Sequence, residues 1–395
     1  MRSAPIGVAV ATPYLPELES LRGVAIALVV LFHLDAHLDA LRIFFDASQG
    51  TMVSPLFAFI RAGSSGVSLF FILSAFLLSL PFLTHAAGGK QVSVRRYAGR
   101  RALRILPLYW CAVAAAAVLS ASSATDVLRG LPYLVFLNGI ADLTTPLPPY
   151  SNVWWSLATE AQFYLLLPLL PLALGTPRRR VAGAIGLAAI IAAYAAFLTG
   201  GLHVRSILGQ MALGYSVLGR APMFLAGIAA AWLYLHHGER LRLRLARNGL
   251  LRRGGADLLL LAALVGLGYL LRWVTSIGTE VAELPRYQIW HVAETVLWTT
   301  VVLLLLLAPL RLKPLLSNPL LDRLGVLSYS LYIVHVPMIV YGLRLLRRAW
   351  PALSGWGPSG IAAALAICLA CVALSELTYR AIERPFLARK EHLRT

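Results

Sequence analysis

His33 stands eleven residues after Arg22 in ELESLRGVAIALVVLFHLDAH, so an ionisable imidazole sits inside an otherwise apolar run. Eleven residues of helix rise roughly 16 Å, about half of a hydrocarbon layer of about 30 Å. At ~100° per residue, Glu19, Arg22, His33 and His37 share one narrow sector of that helix. A neutral imidazole is the natural proton acceptor near pH 7, so the stripe suggests acid–base chemistry at mid-membrane depth. Ionisable groups at that depth are unfavourable unless they face protein or a water-filled cavity. A packed histidine bonded to a backbone carbonyl is the other reading of this position alone.

Three further stretches carry residues of the same kind. GVLSYSLYIVHVPMIVYGL places His335 ten residues after Gly325, roughly 15 Å into its helix and so at the depth of His33. Ser328 and Tyr332 precede it as candidate substrate-binding or structural groups. KQVSVRRYAGRRALRILPLYW holds Arg101 and Arg104 at i,i+3, one face of a helix, where guanidinium groups can take phosphate bidentately. Arginines there can equally set topology or meet lipid headgroups. NVWWSLATEAQFYLLLPLL puts Glu160 about a turn below the opposite surface, with Trp154 and Trp155 as expected interfacial anchors. Glu294 falls at a similar depth, and Glu376 and Glu383 lie toward the other side.

The elements that must hold these residues are transmembrane helices. The chain is 59% hydrophobic and 13% charged over 395 residues, which excludes a soluble globular protein and predicts an all-α polytopic bundle. Apolar segments fall near 21–38, 66–84, 105–121, 157–174, 181–198, 221–237, 256–272, 289–308, 325–343 and 359–380, about ten helices. The stretch 206–218 is too short to span and is expected at the interface or re-entrant. With ten spans, 25 of the 35 Lys and Arg fall on the side of both termini and 10 on the other. That places both termini in the cytoplasm. Arg344, Arg347 and Arg348 run against the rule. The division expected is a cytoplasmic segment 1–20, a transmembrane domain 21–383 and a cytoplasmic tail 384–395. The net charge of +18 follows from this loop bias, and nucleic acid is excluded as a partner. Cys111, Cys368 and Cys371 lie in apolar runs without a second C-x-x-C, so no metal site is expected. The N-terminus does not read as a cleaved signal peptide.

Taken together, ESLRG with LFH ending at His33, GVSLFFILSAFLL at 66–78, RRALRILPLYW at 100–110, WSLATEAQFYLL at 155–166, RAPMFLAG at 220–227, SYSLYIVH at 328–335 and ERPF at 383–386 resemble the acyltransferase-3 family of membrane O-acyltransferases. The blocks stand in the family's order and span nearly the whole chain. The resemblance implies transfer of an acyl group, usually acetyl, from cytoplasmic acyl-coenzyme A to a hydroxyl of a sugar, polysaccharide or glycosylated small molecule. It implies a multi-pass protein of a bacterial inner membrane, in contact with lipid, with a homo-oligomer left open. It assigns His33 as the catalytic residue, matches Glu19 and Glu160 to family acids, and gives Arg101 and Arg104, with Arg22 at the same level, to the acyl donor. Ala75, Ala161 and Met223 depart from residues the family often carries there. The alternative is a secondary transporter or glycan flippase using His33 and His335 as an intramembrane polar relay. Such a protein would neither bind nor cleave acetyl-coenzyme A.

Overall fold

The computed structural model describes residues 14–38, 54–138, 146–147, 149–200, 207–278, 282, 284–351, 353 and 355–391. The expected terminal segments 1–20 and 384–395 lie partly outside them. Among the described residues the architecture is helical with no strand. The elements used below are α1 (Pro16–Leu38), α2 (Pro55–Arg61), α3 (Ser65–Ala86), α4 (Val94–Ser120), α5 (Trp155–Leu166), α6 (Pro177–Leu198) and α7 (Ile207–Gly214). They continue with α8 (Ala221–Arg247), α9 (Ala256–Ile277), α10 (Trp290–Leu307), α11 (Pro319–Ala349), α12 (Pro358–Thr378) and α13 (Arg384–Glu391).

Local sequence explains where the key helices start. Pro16 opens α1, and Glu17 and Glu19 lie in its first turn, where carboxylates complement the helix dipole. Ser93 caps α4 by accepting from the Arg96 N–H at 3.3 Å. Asn318 caps α11 by accepting from the Leu321 N–H at 3.0 Å, with Pro319 at the first helical position.

Nine helices among the described residues are long and apolar enough to cross a membrane, and the chain is a multi-pass membrane protein. Their directions fix a tenth. α1 and α11 lie side by side in one sense: Ser20 bonds Asp322 at one end, His33 meets His335 in the middle, and Arg347 holds the carbonyls of His37 and Leu38 at the other. Two parallel spans need an odd number of crossings between them, and six of the nine stand there. The seventh is α8, whose residues 221–237 are apolar while Glu239, Arg240, Arg242, Arg244 and Arg247 crowd its second half. α7, of eight residues, is too short.

Below, the end where α1 begins is the near end and the opposite one the far end. Near the near end α1 and α11 cross in backbone contact. A Cβ added to Gly23 would collide with the Leu321 carbonyl, and one added to Gly325 with the Glu19 carbonyl. Only glycine allows that approach, which is how membrane helices without a hydrophobic drive toward each other pack tightly. α1, α3 and α11 form the buried centre, whereas α6 buries only Tyr194 and Phe197 and turns Val181, Ile185 and Ile191 outward to lipid.

Candidate active site

The two central histidines meet. His335 Nε2 lies 3.3 Å from His33 Nδ1, with the rings edge-on and 4.9 Å between centroids. Carbonyl oxygens only accept, which assigns the protons. His335 Nδ1 stands 3.1 Å from the Leu331 carbonyl and 3.0 Å from that of Tyr332, so it carries the hydrogen and its Nε2 presents a lone pair. His33 Nδ1 faces the Val29 carbonyl at 2.9 Å, so it also carries hydrogen, shared between Val29 and His335. His33 Nε2 is therefore the basic nitrogen, and it has no hydrogen-bond partner among the described residues. His335 is fully buried, while His33 remains partly accessible. This combination suits a base whose orientation is fixed from behind.

A second polar level lies at the near end, eleven residues or roughly 16 Å along α1. Arg22 pairs with Glu19 at 3.8 Å and donates to Ser328 Oγ at 3.4 Å. Arg104 donates to Glu383 at 2.9 Å, lies over the Tyr329 ring, and is within electrostatic reach of Arg22, Arg101 and Glu19. Ser330 donates to the same Glu383. Glu19, Arg22, Arg101, Arg104 and Ser328 are thus gathered around Glu383, with Glu19 far from the His33 ring. Two carboxylates answer three guanidinium groups. Arg101 stacks toward Tyr164 at 6.0 Å and has no carboxylate partner among the described residues, so its charge is the one left for an anion.

Glu160 departs from its expected place near the far surface. Residues 149–156 plunge into the bundle: Tyr332 OH donates to the Val153 carbonyl at 2.7 Å and accepts from Ser156, 2.7 Å away. α5 therefore starts beside Tyr332, one turn from His335. Glu160 accepts from Ser74 and lies among Tyr97, Tyr164, Tyr329 and Tyr332. No hydrogen bond joins it to His33 among the described residues. Trp154 is not an interfacial anchor, because it is only 1% exposed and wedged edge-on against Tyr109 and Tyr133. Trp155 stacks on Tyr215 at 4.3 Å instead. Both tryptophans follow the segment inward.

The sequence reading missed a buried chain of polar groups in the far half. Arg220, at the start of α8, donates to His291, whose Nδ1–H donates to Glu294 at 2.9 Å. Ser68 donates to the same Glu294 oxygen at 2.8 Å, and Arg220 lies over the Trp155 ring. Glu294 is fully buried. Its depth was visible beforehand, but nothing in the spacing ties Arg220 to residues seventy positions later. No group of three or more His, Cys, Asp or Glu side chains fit to hold a metal stands among the described residues.

The profile of the acyltransferase domain that defines the acyltransferase-3 family matches residues 15–379. The chain belongs to the acyltransferase-3 family. It is 27% identical over 347 residues to a protein of Komagataeibacter xylinus named as the membrane-bound transacylase BcsY, covering 84% of this chain and 74% of that one. It is 25% identical over 169 residues to the peptidoglycan O-acetyltransferase OatA of Listeria monocytogenes, covering 39% of this chain and 24% of OatA. No solved structure matches the chain. The matched residues include His33 and His335 and the arginines Arg22, Arg101 and Arg104, whereas Glu383 lies just beyond them.

Proposed function

We propose that this acyltransferase moves an acyl group, acetyl in the simplest case, from cytoplasmic acyl-coenzyme A to a hydroxyl of a glycan-type acceptor. The observation that carries the reading is the orientation of His33, whose Nδ1–H is held from behind and whose Nε2 is left as base. Both termini and the near end face the cytoplasm of a bacterial inner membrane, supported by the charge bias of the loops. The names of the relatives support a polysaccharide or glycan acceptor.

In this mechanism Arg101, with Arg22 and Arg104 around it, receives the phosphates of the donor at the near end. The extended pantetheine arm runs inward so that the thioester reaches His33. The acceptor hydroxyl gives its proton to His33 Nε2 as its oxygen attacks the thioester carbonyl. The tetrahedral intermediate collapses with cleavage of the C–S bond, and the departing thiolate takes the proton from the imidazolium. Atoms and charge balance without a metal or a redox step. While His33 is protonated, its Nδ1–H bond to His335 becomes charge-assisted and strengthens, which stabilises the intermediate more than the ground state. Tyr332 and Ser156 hold α5 and α11 together one turn from His335, and Glu160 lies within electrostatic reach of Tyr332 on the same helix pair.

The test follows free thiol release from acetyl-coenzyme A by purified protein in nanodiscs, with mixed glycans as acceptors and donor binding recorded in parallel. His33→Ala removes turnover and leaves donor binding in place. A wild-type protein that neither binds nor cleaves acetyl-coenzyme A defeats the proposal and favours a transporter.

A further inference from the structure

The far end holds an open cavity of about 370 Å³ lined by His37, Val340, Leu343, Arg344, Arg347 and Arg348. Positive residues on this side run against the charge rule that orients the rest of the chain, so topology does not explain them. Arg344, Arg347 and Arg348 stand at i, i+3 and i+4, one face of α11, and none pairs with a carboxylate among the described residues. Arg347 is fixed, donating to the carbonyls of His37 at 2.8 Å, Leu38 at 3.1 Å and Leu353 at 3.4 Å. Arg344 lies 5.4 Å over the ring of Tyr341, itself bonded to Tyr150 at 2.9 Å. Arg348 is exposed. The cavity therefore has two exposed cations beside one held in place by three carbonyls.

Its floor touches the catalytic helix. His37 lines it one turn beyond His33, and the His37 Nδ1–H donates to the His33 carbonyl at 2.7 Å. Leu345, Tyr341 and Trp350 are exposed around the rim, the aromatic and apolar composition of a membrane interface. Guanidinium groups held beside an apolar rim match a phosphate oxyanion at the membrane surface.

We propose that this cavity is a subsite for a phosphate group carried by the acyl acceptor, so that the acceptor is anionic and is held from the far end while its hydroxyl reaches His33. The proposal rests on the acyltransferase reading, and the two fail separately. Binding of inorganic pyrophosphate is measured in nanodiscs of neutral phosphatidylcholine, with the near-end arginines saturated by coenzyme A, for wild type, R344Q/R348Q and R344K/R348K. Acetyl-coenzyme A binding, at the opposite end of the bundle, reports on the fold.

Pyrophosphate should bind wild type, bind the glutamine pair on the order of tenfold more weakly, and bind the lysine pair with most of the wild-type affinity. Phosphatidylglycerol added to the nanodiscs should leave that binding in place. Equal binding by wild type and R344Q/R348Q overturns the site. Displacement of pyrophosphate by phosphatidylglycerol overturns the assignment to the acceptor and makes the cavity a lipid-headgroup site. Failure of wild type to bind acetyl-coenzyme A overturns the acyltransferase reading instead, whatever pyrophosphate does.

Discussion

Replacing His335 tests whether it positions the base or is the base. Its bond to His33 spans 3.3 Å, and His33 keeps a shorter one of 2.9 Å to the Val29 carbonyl. A neutral hydrogen bond contributes about 0.5–1.5 kcal/mol and a charge-assisted one about 1.5–3 kcal/mol, so losing the roughly 1 kcal/mol gained when His33 is protonated lowers the rate by roughly three- to tenfold. Removing a general base outright costs about 10²–10⁴-fold. Because His335 is fully buried, alanine would also open a cavity, so the informative pair is His335→Met, which fills the space with only a weak sulfur acceptor, and His335→Gln, whose carbonyl oxygen accepts the His33 Nδ1–H. In the thiol-release assay the methionine variant should lose roughly three- to tenfold in kcat with KM unchanged, and the glutamine variant should recover most of it. Melting in nanodiscs checks the fold. If His335→Met falls as far as His33→Ala at wild-type melting temperature, His335 handles the proton itself and the assignment of tautomers is wrong.

Other outcomes follow from the near end and the helix crossing. Removing either partner of the largely buried Arg104–Glu383 pair, by Arg104→Met or Glu383→Leu, should lower stability by about 3–5 kcal/mol; in a double-mutant cycle the two changes together should be less damaging than their sum. Arg101→Gln, by contrast, should weaken acetyl-coenzyme A binding by about tenfold or more at unchanged melting temperature, which equilibrium binding will read directly. Gly325→Ala drives a Cβ into the Glu19 carbonyl, so melting should drop by the equivalent of about 1–3 kcal/mol and turnover should fall with it. Gly186→Ala, whose added Cβ meets nothing within 4 Å, should be neutral in both assays.

Much of the architecture was legible because the membrane imposes a length and a polarity on each span. The ten segments and the short 206–218 stretch could be read from hydropathy, and the depths of His33 and His335 from residue counts alone. What hydropathy cannot carry is azimuth and depth of re-entry. Trp154 looked interfacial because tryptophan beside a span usually is, yet its segment folds inward and buries it against Tyr109 and Tyr133. Glu160 was displaced inward by the same dip. Arg101 and Arg104 share a helical face by spacing, but only the packing of the chain's last helices against α4 reveals that Glu383 neutralises one and leaves the other. The Arg220–His291–Glu294 chain joins the starts of two helices, and one-dimensional periodicity holds no record of such a meeting.

The pairing of His33 with His335 also constrains how the protein is made. The two residues are 302 positions apart, and at about 5–20 residues per second roughly 15–60 s of synthesis separates them. During that interval α1 has left the ribosome with Arg22, His33, Asp35 and His37 along it and without the helix that covers them. A lone span carrying those groups is poorly suited to lipid, so it must wait against the insertion machinery or an early neighbour such as α3. The paired histidines are then among the last features to form during biogenesis, and a chain cut short before α11 would be inserted without that pair.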